Sequence, residues 1–346
     1  MTTWFEESRL DDPSVLTAAD PLLRGLAESG ARVRREVADV EVPLTQAAHR
    51  AADTNRPRAV VAAGPDSRLL RAVLEPWCPV PFVAWAGPGL PGWVGSLDLV
   101  VMLAPDGSGE GASFAVAEAV RRGAQVVVAC PPRSSVAEHA AGRWSTVLPV
   151  HTTDQLAAAV VVLDYLDRVH LGPRVDTEEV ADALDGVAAA CSPHRDLAVN
   201  PAKMLSIALA DTTPVLWGGS VLAARAARRV AESIRRASGT SAIAGDAEHL
   251  LPVLEAARPH NLFDDPVADG TAERRPLLLV LDDGTEEPYV REQRSRLQAE
   301  AASRGVRVET VTCDDAATST ELARYASLVL HGRYAAAYLQ IGLVTD

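Results

Sequence analysis

The 346-residue sequence contains a single lysine, Lys203, among its 33 basic residues. Arginine carries the rest of the positive charge, and 46 acidic residues leave a net charge of −13. A chain of this sign repels phosphate backbones and anionic bilayers at long range, so neither nucleic acid nor a membrane is expected as a partner. Any phosphorylated ligand must be held locally, by backbone amides, hydroxyls and a few arginines. Long apolar runs are missing too. The longest, Leu156 to Leu163, falls far short of the roughly 20 residues that cross a bilayer. The opening residues Met1-Thr-Thr-Trp-Phe-Glu-Glu show no basic stretch followed by an apolar one, so no signal peptide and a cytoplasmic location are expected. Cys78, Cys130, Cys191 and Cys313 include no C-x-x-C pair, which sets aside a zinc knuckle or a redox couple and leaves small hydrophobes in a reducing compartment. The eight histidines follow no metal-ligand spacing, and no loop fits G-x-G-x-x-G or G-x-x-x-x-G-K-[ST]. No metal and no cofactor are therefore expected.

Short valine-rich apolar segments alternate with amphipathic stretches of helical length, the pattern of an α/β protein with mostly parallel sheets flanked by helices. Strands are expected at 58–63, 81–85, 97–104, 125–130 and 145–148, with helices near 66–75, 110–122, 134–141 and 153–170. A glycine and a proline break the chain near 171–176, which predicts domains at 1–170 and 171–346. Beyond the break, strands are expected at 214–217, 240–244, 276–281 and 306–311, and helices at 176–190, 200–210, 220–237, 287–303 and 317–340. Residues 258–275 read as an exposed connection. The halves resemble each other: Leu99-Val-Val-Met-Leu-Ala and Leu278-Leu-Val-Leu-Asp-Asp each run through a glycine-containing loop and a helix to an Arg-Gly pair and a strand. Two copies of one α/β unit is the simplest account.

In open parallel sheets, ligands bind beyond the carboxyl ends of strands. Ala63-Gly-Pro-Asp-Ser67 offers Gly64 for close backbone approach and Ser67 as an anion-holding hydroxyl, or Asp66 and Ser67 simply cap the helix. Gly107 and Ser108, in Pro105-Asp-Gly-Ser-Gly-Glu110, have the composition of an anion nest or of a tight turn. Gly218, Gly219 and Ser220 suggest close approach of backbone, to a ligand or to another segment. Asp282, Asp283, Glu286 and Glu287 would repel phosphate and read as structural or solvent-facing. His260, beside Asn261 in a loop, is an acid–base candidate or an unengaged surface histidine.

The stretch Val199-Asn-Pro-Ala-Lys203, then Thr213-Pro-Val-Leu-Trp-Gly-Gly219, then Leu222-Ala-Ala-Arg-Ala-Ala-Arg228, resembles the N-P-A-K, T-P-V-I-W-G and A-A-x-R patterns of the bifunctional phosphoglucose/phosphomannose isomerases. Leu330-His-Gly-Arg-Tyr-Ala-Ala-Ala-Tyr-Leu-Gln-Ile-Gly342, Pro91-Gly-Trp-Val-Gly95 and Arg121-Arg-Gly-Ala-Gln-Val126 extend the resemblance over nearly the whole chain, most closely to a divergent actinobacterial subset. The resemblance implies two tandem SIS (sugar-isomerase) domains, each a three-layer sandwich. It also implies aldose–ketose interconversion of glucose 6-phosphate and mannose 6-phosphate. In that family a phosphate is held by first-domain hydroxyls and amides, a glutamate moves a proton between C1 and C2, and a histidine helps open the ring. A homodimer and a sugar-phosphate ligand are implied as well.

Carried over by position, the loops depart from the family. Gly64 and Ser67 remain, but Asp66 stands where a glycine is usual. The serine- and threonine-rich second loop becomes Ala104-Pro-Asp-Gly-Ser-Gly-Glu-Gly-Ala112, with Asp106 in place of a phosphate-binding hydroxyl. A carboxylate about 5 Å from a phosphate costs roughly 3 kcal/mol per unit charge at an effective dielectric near 20. The position of the family's glutamate, counted from Arg228, is Arg235. Glu232 lies one turn earlier, and His260 is a partial match for the histidine. The catalytic assignments are therefore Glu232 and His260. The phosphate- or sugar-binding assignments are Gly64, Ser67, Gly107, Ser108, Gly218, Gly219, Ser220 and Arg228. The open alternative is a non-catalytic sugar-phosphate sensor or partner-binding protein on the same fold.

Overall fold

The computed structural model describes residues 3–52, 54–65, 67–257, 274–313 and 319–345. In chain order the strands are β1 (Thr3–Phe5), β2 (Val60–Ala63), β3 (Phe82–Trp85), β4 (Leu99–Leu103), β5 (Gln125–Cys130), β6 (Ser145–Pro149), β7 (Thr212–Gly218), β8 (Ile243–Ala244), β9 (Arg275–Asp282), β10 (Arg307–Thr312) and β11 (Leu343–Thr345). The α-helices are α1 (Pro13–Ala18), α2 (Asp20–Ala27), α3 (Ser29–Ala52), α4 (Ser67–Leu74), α5 (Glu110–Arg121), α6 (Ser135–His139), α7 (Gln155–Arg168), α8 (Thr177–Ala190), α9 (Pro201–Leu209), α10 (Val221–Ser238), α11 (Ala247–Glu255), α12 (Pro288–Ser303) and α13 (Glu321–Gly342).

The chain divides into two compact units. One comprises Ser29–Asp182 with Thr320–Leu322, and the other comprises Met1–Glu28, Ala183–Ser319 and Ala323–Asp346. The first unit is built on a parallel sheet in the order β3-β2-β4-β5-β6. Its central strands β2, β4 and β5 are buried along their length except at Gln125, as a parallel sheet covered on both faces requires. On one face Val61, Ala63, Val100, Met102, Val126 and Val128 pack against the alanine-rich side of α5 (Ala112, Ala115, Val116, Ala119) and Val136 of α6. α7 lies against β4 and β5 and is covered by α3. It is buried on all sides, including Asp164 and Tyr165. Arg168 makes that burial tolerable: Nε and Nη2 donate to Asp164 at 2.9 and 3.1 Å, and Nη1 and Nη2 donate to Glu41 of α3 at 2.9 and 2.8 Å.

The second unit has a parallel sheet in the order β10-β9-β7-β8. In each sheet the earliest strand lies between the second and the third, and the fourth lies beyond the third. The two sheets thus share one strand order, with β6 additional in the first.

The sequence reading divides the chain at 1–170 and 171–346, and the two compact units group its segments differently. Met1–Glu28 belongs with the second sheet, not the first. β1 pairs antiparallel with β11, Glu6 N–H donates to Gly342 O at 2.8 Å, and Arg9 Nε donates to Ile341 O at 2.8 Å. Such pairings join residues more than 300 positions apart, and no local periodicity announces them. The later division falls within α8, six residues past its start. The expected strands and helices from residue 58 onward appear, with ends moved by a few residues. α1, α2, α3 and α11 are additional. The connection expected at 258–275 lies outside the described residues except for Arg274 and Arg275. Among the described residues, no helix is long and apolar enough to cross a membrane.

Candidate functional site at the sheet switch points

A parallel sheet in which the chain departs to opposite sides from two adjacent strands opens a crevice at their carboxyl ends, and ligands settle there. In the first unit those strands are β2 and β4. Gly64 and Ser67 follow β2, and Gly107 and Ser108 follow β4, so the structure gathers four of the assigned residues at one switch point.

Gly64 has φ +88°, a left-handed conformation that only glycine adopts freely, and its N–H donates to Trp85 O at 3.0 Å. That turn delivers Ser67 to the first position of α4. Ser67 is 2% exposed, yet its Oγ has no hydrogen-bond partner among the described residues. A buried hydroxyl without a partner costs about 1–3 kcal/mol. Gly107 has φ +67°, and a Cβ there would lie 2.6 Å from Ser134 Cβ. The loop after β4 is therefore wedged against the loop after β5. Ser135 Oγ donates to Gly107 O at 3.1 Å, and Ser113 and Ser135 hydroxyls lie 3.2 Å apart. Ser108 and Asp106 are exposed. Arg68, second in α4, and Arg133, in the loop after β5, are exposed cations near these loops that sequence reasoning passed over. Asp66 lies outside the described residues, as does His260.

The corresponding crevice of the second unit, between β7 and β9, is filled. Ser220 caps α10 by accepting from Ala223 N–H at 3.0 Å, and its hydroxyl donates to Asp283 Oδ2 at 2.5 Å. Asp283 is 3% exposed, so the protein's own carboxylate stands at the head of α10. A Cβ on Gly218 would lie within 2.5 Å of the Ala223–Ala224 backbone, and one on Gly219 would lie 2.2 Å from Val290 Cγ1. These two glycines permit strand, helix and side chain to pack closely. Arg228 is on the exposed side of α10. Glu232 is one turn further along, paired with Arg229 at 3.2 Å and Arg236 at 2.6 Å.

The motif residues near 200 also find a structural role. Asn200 Oδ1 caps α9 by accepting from Ala202 and Lys203 N–H at 3.1 and 3.0 Å, and Pro201 opens the helix. Gly332 lets α13 approach Val230 of α10, and Gly342 makes room for the Phe5 ring. No group of three or more metal-ligating side chains occurs among the described residues.

The class of protein this architecture defines emerges from comparison with known folds. Residues 198–343 match the model of the bacterial phospho-glucose isomerase C-terminal SIS domain. The fold is similar to that of tagatose-6-phosphate ketose/aldose isomerase from Escherichia coli (TM-score 0.66, 12% identity, 92% of this chain and 91% of that one). The C-terminal domain of glucosamine-fructose-6-phosphate aminotransferase from Francisella tularensis is also similar (TM-score 0.62, 11% identity, 93% and 96% covered). A glucose-6-phosphate isomerase like protein from Thermus thermophilus is similar at TM-score 0.51 and 16% identity, over 84% of this chain and 82% of that one. No curated protein matches the sequence. The protein is thus an α/β chain on the SIS-type phosphosugar isomerase fold, and the family match lies in its second half.

Proposed function

We propose that this protein binds a sugar phosphate at the switch point between β2 and β4, without turning it over at the rate of an aldose–ketose isomerase. The observation that carries the reading is Ser67 Oγ, buried and unpartnered at the head of α4 beside the left-handed Gly64. A phosphate oxygen supplies the missing acceptor, and the free N–H groups of the first turn favour its charge. Arg133 and Arg68 offset part of the repulsion from Asp106. Isomerisation needs a positioned base for a carbon-bound proton. Glu232 has both carboxylate oxygens engaged by guanidiniums of its own helix.

The isomerase reading is favoured by the family match over 198–343. It requires that Glu232 leave its arginines when substrate binds. A phosphoglucose/phosphomannose isomerase predicts conversion of fructose 6-phosphate to glucose 6-phosphate or mannose 6-phosphate, lost on Glu232→Gln or His260→Ala. The binding reading predicts a rise in melting temperature with these phosphosugars and no turnover. A ligand at 100 times its dissociation constant adds about 2.7 kcal/mol. A coupled assay and a thermal-shift titration on one preparation separate the two. A cytoplasmic homodimer that takes up no metal, cofactor, nucleic acid or membrane completes the proposal; the strongly acidic net charge supports its last two exclusions.

A further inference from the structure

The amino ends of the strands in the first sheet form a surface at the opposite end from the crevice. Backbone hydrogen bonds join its segments side by side: Arg58 N–H donates to Leu97 O at 2.7 Å, Gln125 N–H to Asp98 O at 3.0 Å and Val126 N–H to Trp144 O at 3.0 Å. Neighbouring strands lie about 4.8 Å apart, so the edge from β2 to β6 spans about 14 Å. Three large apolar side chains stand open on it. Trp93 is 47% exposed, Leu97 64% and Trp144 48%. Each tryptophan has an arginine over its ring: Arg58 Cζ lies 5.7 Å from the centre of Trp93, and Arg143 Cζ lies 4.8 Å from that of Trp144. The loop bearing Trp93 is pinned from two sides. Arg58 Nη2 donates to Trp93 O at 3.1 Å, and Arg122 Nη1 donates to Pro91 O at 2.7 Å. Charge on this edge runs against that of the chain. Residues 54–59, 91–98, 122–124 and 140–144, which lead into β2, β4, β5 and β6, hold Arg56, Arg58, Arg122 and Arg143 but one carboxylate, Asp98. That carboxylate is fully buried and paired with Arg58 at 2.8 Å.

We infer that this edge is a docking surface for an acidic, apolar-bearing segment of another protein. Half-open tryptophans beside arginines have the composition of interface hot spots. Apolar side chains of the segment cover Leu97 and the indoles, and its carboxylates meet the guanidiniums. A second copy docked through the same patch would set arginine against arginine, which like-charge repulsion opposes. An anionic bilayer faces the field of the whole chain at −13, whereas a narrow segment meets only this local excess of positive charge. The inference is independent of what binds at Gly64 and Ser67.

Fluorescence anisotropy of labelled twelve-residue peptides titrated with the full chain tests this. One probe repeats Asp-Phe-Glu-Leu, a second repeats Lys-Phe-Arg-Leu and a third repeats Asp-Gly-Glu-Ser. The first should bind, and the other two should bind at least tenfold more weakly. Trp93→Ser, Trp144→Ser and Arg143→Glu change exposed side chains, so the variants fold, which a circular dichroism melt verifies. Each should weaken the first probe at least fivefold. Tyr289→Ser removes an exposed aromatic of the second unit and should leave that affinity within twofold. Failure of the first probe to bind, equal binding of all three, preference for the basic probe, or affinity untouched by the three variants overturns the inference. A dimer, seen by light scattering, that Trp93→Ser or Trp144→Ser dissociates would assign the edge to a second copy and overturn it too. Tighter binding to vesicles of phosphatidylglycerol and phosphatidylcholine than to the first probe would assign it to a membrane, with the same consequence.

Discussion

The one lysine of the chain has all three of its N–H donors engaged. Lys203 Nζ, fully buried, donates to Asp11 Oδ1 at 2.5 Å and to the carbonyls of Pro193 and Arg195 at 3.0 Å, and lies 5.8 Å from the centre of the Tyr338 ring. A compact ammonium fits three converging oxygens, and a planar guanidinium does not, which explains a lysine in a sequence that otherwise uses arginine. Lys203→Arg and Lys203→Met should each destabilise the second unit by about 3 kcal/mol, since they strain or strand buried acceptors. Asp11 is half-exposed, so Asp11→Asn should cost only about 1 kcal/mol. Urea denaturation checks both, and equal effects would contradict this account of the pocket. The thiols are a second expectation at this scale. Burial pushes Cys191 up to about 12 and also raises Cys78 and Cys130. At pH 8 these three stay protonated, so thiol labelling of native protein, mapped by peptide, should be far slower than in urea.

Among the elements, α3 and α7 are joined by charge where apolar contact alone would leave Asp164 stranded. The guanidinium of Arg168 donates to Glu41 and holds its carboxyl below the usual 4.5. A carboxyl more acidic in the folded chain contributes stability above its usual value, and that contribution disappears as pH falls through the lowered one. Arg168→Met should therefore cost about 2 kcal/mol at pH 7 and flatten the loss of stability below pH about 4.5. An unchanged acid limb would show that the pair contributes nothing. In the second unit, Asp283→Ala removes the acceptor of the Ser220 hydroxyl and should cost about 1–3 kcal/mol. Much of this level was legible in the sequence. The valine-rich strands and the helices between them follow from periodicity, because parallel strands buried on both faces must be apolar throughout. α3 could also have been found, since Val33, Val40, Leu44 and Ala47 repeat at helical spacing, but Pro43 in its interior argues against a helix. α1 and α2 are short and opened by Pro13 and Pro21, so they carry little periodic signal.

Over the whole molecule, the glycine and serine loops were the harder reading. A small residue after a strand serves equally for ligand approach or for close packing. Gly64 and Gly218 look alike in sequence, yet Gly64 opens a turn and Gly218 meets a helix backbone. The orphaned hydroxyl of Ser67 and the engaged one of Ser220 also tell the two crevices apart. Motif residues such as Asn200, Lys203, Gly332 and Gly342 were legible as a resemblance because they build the scaffold, and scaffold is what the match over 198–343 records. The N-terminal segment belongs to the second unit by strand pairing and by the Asp11–Lys203 contact, which no composition shift could reveal. Removing residues 1–28 should therefore lower the melting temperature of the protein by several degrees and uncover Lys203 to amine-reactive labelling. A deletion that leaves both unchanged would contradict that assignment.

The most direct test of the central claim is calorimetric titration of wild-type protein and a Ser67→Val variant with glucose 6-phosphate. The account predicts one ligand per chain for the wild type and at least a tenfold loss of affinity in the variant, whose side chain offers no donor. Unchanged affinity in Ser67→Val, or no binding to the wild type, would contradict it.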